Sequence, residues 1–381
     1  MKKILILNIG TNIGGIESSL INFLHYLSGK NYHVDLVLWK DSGPLYQLIP
    51  SSVHIIHGLS PGSLKTILRT PGMLKKGKRI LWYTVLKILH YFKKPWFILK
   101  RIPKHYDVAI SYCQNGYSPY YLIDKVSADK RYMWYHHGSY EKKGKDYKID
   151  TQYYPRLDGI IAVSTSCKEA VAEKFPYMDN KISVINNIIN IDRIREKAKE
   201  KIFDIDKEKD KFMFVTVSRF SYEKGIDVAI KTAAELKRAG CPFIWYFIGT
   251  GEDMEKIKMM VKERQLEDTC ILLGEKTNPF PYVSLADIYI QTTRVEAHPI
   301  TIAEAMVLQK VIVATKIPAI TAMLEDGYLG EVCPLDERLF ADAILKLVKR
   351  SADRTKYIDR LKQFPMTNQA AFHAIDELIN L

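Results

Sequence analysis

The stretch Lys211–Ile230, KFMFVTVSRFSYEKGIDVAI, carries three local signals in twenty residues. Phe212 to Val217 is an unbroken apolar, β-branched run of strand length, as expected of a strand buried on both faces. Ser218 to Gly225 is polar and turn-forming, and a helical pattern follows from Asp227 to Ala239. A buried strand passing through a short loop into a helix is half of a βαβ unit, which belongs to a parallel sheet with helices on its faces.

The same alternation continues on both sides. Downstream come FIWYFIG (243–249), a helix over Asp253–Arg264, CILLG (270–274), ADIYIQT (286–292), a helix over Ile300–Leu308 and VIVAT (311–315). Upstream stand KILILNIG (3–10), a helix over Ser18–Leu27 with Leu20, Ile21, Leu24 and Leu27 on one side, then VDLVLW (34–39) and VHIIHG (53–58). YDVAISY (106–112), RYMWYHH (131–137), GIIAVS (159–164) and ISVINN (182–187) complete the first half. The charged run Asp192–Lys211 interrupts the pattern before it restarts. The expected fold class is therefore α/β, with two doubly wound domains, 1–190 and 191–365. A last helix, Ala370–Leu381, follows a break at Pro365; the segment 366–381 belongs to either domain and is a candidate to return to the first.

Length agrees, since 381 residues is about twice what one hydrophobic core usually organises. An apolar content of 47% with 26% charged residues excludes a disordered chain or a disulfide scaffold. Cys113, Cys167, Cys241, Cys270 and Cys333 form no CxxC pair, which points to a reduced, cytosolic protein. Ile4–Ile9 is too short for a signal-peptide core, and Lys and His interrupt every apolar window long enough to span a membrane.

The net charge of +13 is concentrated. Between Ser42 and Tyr106 stand twelve bases (Lys65, Arg69, Lys75, Lys76, Lys78, Arg79, Lys87, Lys93, Lys94, Lys100, Arg101 and Lys104) and no Asp or Glu, so the rest of the chain is nearly neutral. Trp82, Leu86, Leu89, Tyr91, Trp96 and neighbouring apolar residues are interleaved with them. The region 64–105 is read as a membrane-facing surface, an apolar face entering lipid headgroups while bases meet anionic phosphates. A solvated basic helix packed on its own core is the alternative; nucleic acid is disfavoured, because no reader motif accompanies the charge.

In an open parallel sheet, ligands bind beyond the carboxyl ends of the strands. Residues at those ends are rich in Gly, Ser, Asn, His, Arg, Lys and Glu, the chemistry of phosphate and sugar-hydroxyl contacts. Gly14 and Gly15, between a strand and a helix, let backbone approach a ligand, although their spacing is neither GxGxxG nor a P-loop and a plain tight turn reads as well. Arg219 ends a buried strand and Lys224 opens the next helix, so the two can clamp a diphosphate, or else are solvated surface charges. Glu304 sits among Ile302, Ala303, Ala305 and Met306, where a carboxylate is costly unless it accepts hydrogen bonds such as those of ribose hydroxyls.

Assembled in order, VSRFSYEKGID, IGTGEDMEKI, LLGE, ADIYIQTT and the EX7E pattern EAHPITIAE resemble the GT-B glycosyltransferases of family GT4. GTNIGGIE, YHHG, AVSTS and VINNIIN extend the resemblance more loosely over the first half. The resemblance implies two Rossmann-like domains facing each other across a cleft and retaining transfer of a hexose-type sugar from a nucleotide-diphosphate donor, expected to be a UDP-sugar. It implies that Arg219 and Lys224 bind the diphosphate, Glu304 the ribose and Glu296 the sugar, with backbone amides of Ala297–Ile300 nearby, so that Pro299 and Ile300 join the donor site. Gly14 and Gly15 would line the phosphate and acceptor side; Gly249, Gly251 and the segment after Gly274, including Glu275, would shape the base pocket. His136 or His137 would be the active-site histidine. His298 departs from the usual small residue and Phe, and either reaches the sugar or packs; VINNIIN lacks the usual Pro and Gly, which leaves Asn187 a role in loop geometry.

Glu296 and Glu304 share one motif and do not flank a glycosidic bond, so the hydrolase arrangement is not indicated. No DxD motif stands in a plausible site, and neither metal nor other cofactor is expected. The expected partners are a nucleotide sugar, a glycan or lipid-linked acceptor for cell-surface polysaccharide, and the anionic inner face of the plasma membrane, without nucleic acid. A weakly catalytic glycan-binding partner subunit of another transferase is the alternative class; a soluble transferase on small acceptors is the alternative within enzymes.

Overall fold

The computed structural model describes residues 1–40, 43–57, 71–91, 95–205 and 207–380. They divide into two compact units, Met1–Ile188 together with Gln369–Leu381, and Ile189–Asn368.

The first unit is built on a seven-stranded parallel sheet: β1 (Lys2–Asn8), β2 (Tyr32–Leu38), β3 (His54–Ile56), β4 (His105–Ser111), β5 (Ser127–Tyr135), β6 (Gly159–Ala162) and β7 (Ile182–Val184). Their spatial order is β3-β2-β1-β4-β5-β6-β7, so the winding reverses between β1 and β4. The helix Gly15–Ser28 starts three residues before the sequence pattern predicts, because Gly14 and Gly15 lead directly into it. The helix Gln369–Asn380 belongs to this unit: Ala371, Ile375, Leu378 and Ile379, spaced for one helical face, are buried. Phe372 stacks on Tyr26 with ring centroids 4.2 Å apart, and Lys30 pairs with Asp376 at 2.9 Å.

Of the basic region, the helix Met73–Tyr91 is described, whereas Lys65, Arg69, Lys93 and Lys94 lie outside the described residues. None of its described side chains is fully buried, and Met73, Leu74, Leu81 and Ile88 stand exposed among the bases. Two members of the expected patch are engaged by acidic residues outside it. Trp96 is buried, donates through Nε1 to Asp124 Oδ2 at 2.8 Å and packs on Tyr120; it is core, since the interleaved pattern cannot tell inward from outward across a helix end. Lys104 is neutralised by the buried Asp35, which it meets at 2.7 Å. His54 Nδ1 lies 2.9 Å from the same carboxylate and Tyr106 donates to it at 2.7 Å. Burial alone would raise the Asp35 pKa; the donors from Lys104, Tyr106 and His54 outweigh it and hold the group at about 2.

The second unit repeats the plan with β8 (Phe212–Val217), β9 (Phe243–Ile248), β10 (Cys270–Gly274), β11 (Ile288–Gln291), β12 (Val311–Thr315) and β13 (Glu331–Cys333), ordered β10-β9-β8-β11-β12-β13, all parallel. Side chains of successive residues take opposite faces: Phe214 joins Trp245, Phe247 and Ile230 in one core layer, while Met213 and Val215 join Tyr246, Tyr289 and Ile302 in the other. The charged run after residue 190 is not merely a linker. It forms the helix Ile191–Lys197, whose Ile194 is buried with Ile300 and Ala303. β13 and the helices Glu337–Lys349 and Ser351–Gln363 complete the unit.

Candidate active site

The second sheet winds outward in both directions from β8 and β11, which are neighbours. At such a switch point the two following loops diverge to opposite faces and leave a crevice at the carboxyl ends. Here those loops are Ser218–Gly225, after β8, and Thr292–Pro299, after β11. The sheet order thus brings Arg219 and Lys224 to the same edge as Glu296, His298, Pro299 and Ile300.

Lys224 Nζ donates to Glu296 Oε1 at 2.6 Å, and Gln291 Nε2 donates to the same oxygen at 2.8 Å. Gln291 is in turn held by Thr301 Oγ1, which donates to its Oε1 at 2.8 Å. Glu296 is therefore oriented from two sides, with a side-chain exposure of only 10% against 23% for Lys224. Arg219 is exposed, and while its carbonyl accepts from Ser218 Oγ and the Ser221 amide, its guanidinium has no hydrogen-bond or ion-pair partner among the described residues, so that fork is available to an anion.

Glu304 is on the helix Ile300–Val307, with its neighbours Ala303, Ala305 and Met306 buried. It meets no donor among the described residues, and burial pushes its pKa up to about 8, with Arg193 acting weakly in the opposite direction. Burial also holds His298 down at about 4, so its ring is neutral at physiological pH, and its buried Nδ1 has no hydrogen-bond partner among the described residues. A protonated acid and a neutral imidazole, each lacking a partner, are groups that a polar ligand would satisfy.

Gly225 has φ +62°, and a Cβ there would lie 1.7 Å from the Thr292 carbonyl oxygen. Only glycine lets the two loops approach this closely. Gly249 and Gly251 are required for a related reason: Cβ atoms there would meet the carbonyl oxygens of Ser218 and Phe220 at 1.9 and 2.2 Å, so these glycines seat the 249–253 loop against the Arg219 loop. Glu275 follows the edge strand β10, is exposed and joins neither Lys224 nor Glu296.

In the first unit the remaining candidates lie at the carboxyl ends of β1 and β5. Gly14 is the N-cap of the helix Gly15–Ser28 in extended conformation, φ −175°. The His136 amide donates to Gln114 Oε1 at 3.1 Å and its ring packs on Tyr112 at 5.1 Å; the His137 Nδ1 lies 3.2 Å from the Ser139 carbonyl. Asn187 accepts from Ser19 Oγ at 2.7 Å, a loop-fixing contact.

Two family models match the chain in tandem, Glycosyltransferase Family 4 over residues 13–193 and Glycosyl transferases group 1 over residues 197–364. The chain belongs to the GT4-type glycosyltransferases. An uncharacterized glycosyltransferase of Methanocaldococcus jannaschii is 24% identical over 248 residues, covering 61% of this chain and 58% of the relative. The N-acetylgalactosamine-N,N'-diacetylbacillosaminyl-diphospho-undecaprenol 4-alpha-N-acetylgalactosaminyltransferase of Campylobacter jejuni is 26% identical over 162 residues, 42% of each chain. The chain spans about half the length of these curated relatives. HepE of Anabaena, solved in complex with UDP and glucose, superposes with a TM-score of 0.70 at 17% identity over 100% of both chains, which makes the fold GT-B.

Sequence reasoning did not find Gln291, Arg294 or Asp227. Gln291 left a legible trace, an amide closing the apolar run of β11. Arg294 and Asp227 left none, because they are 67 residues apart and meet only through strand order.

Proposed function

We propose that the transferase moves a hexose-type sugar from a nucleoside-diphosphate donor, expected to be a UDP-sugar, to a glycan or lipid-linked acceptor of cell-surface polysaccharide, with retention. The observation that carries this reading is the cluster at the β8/β11 switch point: the Lys224–Glu296 pair, the unpartnered Arg219 and the protonated Glu304. It fits a ligand with a diphosphate, vicinal hydroxyls and a sugar. The Anabaena structure contains UDP and glucose, and the Campylobacter relative is named for an undecaprenol-linked acceptor.

In the proposed reaction the bond between the anomeric carbon and the diphosphate oxygen breaks while a bond to the acceptor oxygen forms on the same face. The acceptor proton passes to the departing diphosphate. Arg219 and Lys224 stabilise the charge that develops there, which is where preorganised donors have most effect. Glu296 orients the sugar hydroxyls, His298 on the same loop stays a neutral polar group, and no metal is assigned a role.

Glu304 supplies the test. With a pKa of about 8 it holds a proton at pH 7, more tightly folded than unfolded, so its contribution to stability is present below the ordinary Glu value and lost as pH rises through about 8. Ribose hydroxyls donating to it favour the carboxylate. Binding of a nucleoside diphosphate at pH 7 should therefore release about one proton, read by calorimetry in buffers of different ionisation enthalpy. Uridine, guanosine and adenosine diphosphate should be titrated in turn, with EDTA present. Binding of none would overturn the function; binding without proton release, or unchanged release in Glu304→Gln, would remove Glu304 from the ribose site.

The membrane surface is proposed on the exposed helix Met73–Tyr91, whose bases and exposed Leu74, Leu81 and Ile88 suit an anionic inner leaflet. Each base near such a surface contributes about 1 kcal/mol. Replacing Lys75, Lys76, Lys78 and Arg79 by Glu should abolish co-sedimentation with anionic vesicles at low salt and leave nucleotide affinity unchanged. A wild-type protein that stays in the supernatant contradicts the proposal.

A further inference from the structure

The two loops of the switch point are tied together by a second device, distinct from the Lys224–Glu296 contact. Arg294 donates from Nη1 to Asp227 Oδ1 and from Nη2 to Asp227 Oδ2, both at 2.8 Å, a two-pronged pair of parallel bonds. The same Nη1 donates to the Tyr222 carbonyl at 2.7 Å, and the guanidinium lies 4.3 Å from the centroid of the Tyr222 ring. The Arg294 amide donates to the Glu223 carbonyl at 2.7 Å, and Thr293 Oγ1 donates to that same carbonyl at 2.9 Å. Thr292 Oγ1 donates to the Gly225 carbonyl at 2.8 Å. Residues 222, 223, 225 and 227 are thus each gripped from 292–294, and Lys224, held between gripped neighbours, is the residue that reaches Glu296.

The pair is built for permanence. Its side chains are 20% and 18% exposed, so it is sheltered from much of the screening that makes surface pairs weak. A guanidinium fork fixes angle as well as distance, which an ammonium cannot do. Neither residue lies within the contacts of Glu296, so neither need touch the substrate.

We propose that Arg294 and Asp227 are positioning residues of this transferase: they lock the Tyr222–Gly225 turn against the loop after β11 and so fix the Lys224 ammonium over Glu296. The inference rests on the donor-site reading above. A side chain misplaced by about 1 Å can cost on the order of a hundredfold in rate, so a loosened lock acts on turnover without removing any group that meets the donor.

The test is a double-mutant cycle on kcat and donor KM, measured well below the melting temperature with the folded fraction determined for each variant. Arg294→Lys and Asp227→Asn are expected to lower kcat at least tenfold with both proteins folded, and Arg294→Ala more. In the Lys224→Ala background, Arg294→Lys should cost less than threefold further, because there is no ammonium left to position. If Arg294→Lys lowers the melting temperature and leaves kcat intact, or if its loss is undiminished without Lys224, the positioning role is overturned and the pair is only structural. If Lys224→Ala itself retains wild-type activity, the donor-site reading fails first. Should Arg294→Ala not fold, the Lys and Asn variants carry the cycle alone.

Discussion

Lys224→Ala should lower kcat/KM by about 10²–10³-fold, the largest catalytic loss expected of any single side chain in the site. Two effects act together. Removing the ammonium leaves the Glu296 carboxylate, 10% exposed, without its charge partner. Breaking a buried pair costs about 3–5 kcal/mol, and the lower end applies here because Lys224 retains some solvent contact. The donor diphosphate loses one charge-assisted bond as well, typically about 1.5–3 kcal/mol. At about 1.4 kcal/mol per decade, the lost diphosphate bond and a displaced Glu296 carboxylate, together about 3 to 4 kcal/mol of transition-state stabilisation, give the stated range. Arg219→Ala should cost about tenfold, less than Lys224→Ala, because nothing among the described residues pairs with the Arg219 guanidinium. Steady-state kinetics with the folded fraction measured decides it; near-wild-type turnover by Lys224→Ala would remove this residue from the donor site.

The second large effect is on folding. Gly225→Ala places a Cβ 1.7 Å from the Thr292 carbonyl oxygen at a φ of +62°. The left-handed conformation alone costs about 1 kcal/mol or more for a residue with a side chain. The contact adds to this, since relieving it means moving a backbone that is hydrogen-bonded to both loops. A total of about 2–4 kcal/mol is expected, which lowers the melting temperature by about 5–15 °C in a unit of this size. Gly240 is the internal control: its φ is +71°, but a Cβ there meets nothing within 4 Å. Gly240→Ala should cost only the conformational part, about 1 kcal/mol. Equal shifts for the two variants would show that the close approach of the loops is unimportant.

What could be read from the chain was local. The strand Phe212–Val217, its polar loop and the helix Ile226–Arg238 were legible within a residue or so, because burial on both faces and helical spacing are written in consecutive residues. The strand order was legible only as a class. That β8 neighbours β11, which places Lys224 on a carboxylate 72 positions away, depends on crossovers that no local pattern encodes. The same holds for Arg294 and Asp227.

Errors at the surface had a different origin. Twelve bases with interleaved aromatics read as one patch, but Trp96 turns inward to Asp124 and Lys104 to Asp35, partners outside the window being read. Glycines divide in a similar way. Gly14 and Gly15 lead into a helix that local sequence signals, whereas Gly249 and Gly251 are fixed by backbone that arrives from another strand end. The helix Glu337–Lys349 did carry a legible stripe, with Phe340, Ala341, Ile344 and Leu347 buried, and its absence from the expected elements was a failure of reading rather than of signal.

The central claim is that a nucleoside diphosphate binds at the β8/β11 switch point. Hydrogen exchange read peptide by peptide, with and without saturating uridine diphosphate, tests this most directly; guanosine or adenosine diphosphate replaces it if calorimetry shows that one of them binds instead. Protection is expected in Ser218–Gly225 and in Glu296–Glu304, absent from the helix Met73–Tyr91, and reduced in both site segments by Lys224→Ala. Protection confined to other loops, or none in these two segments while the nucleotide is bound, would contradict the account.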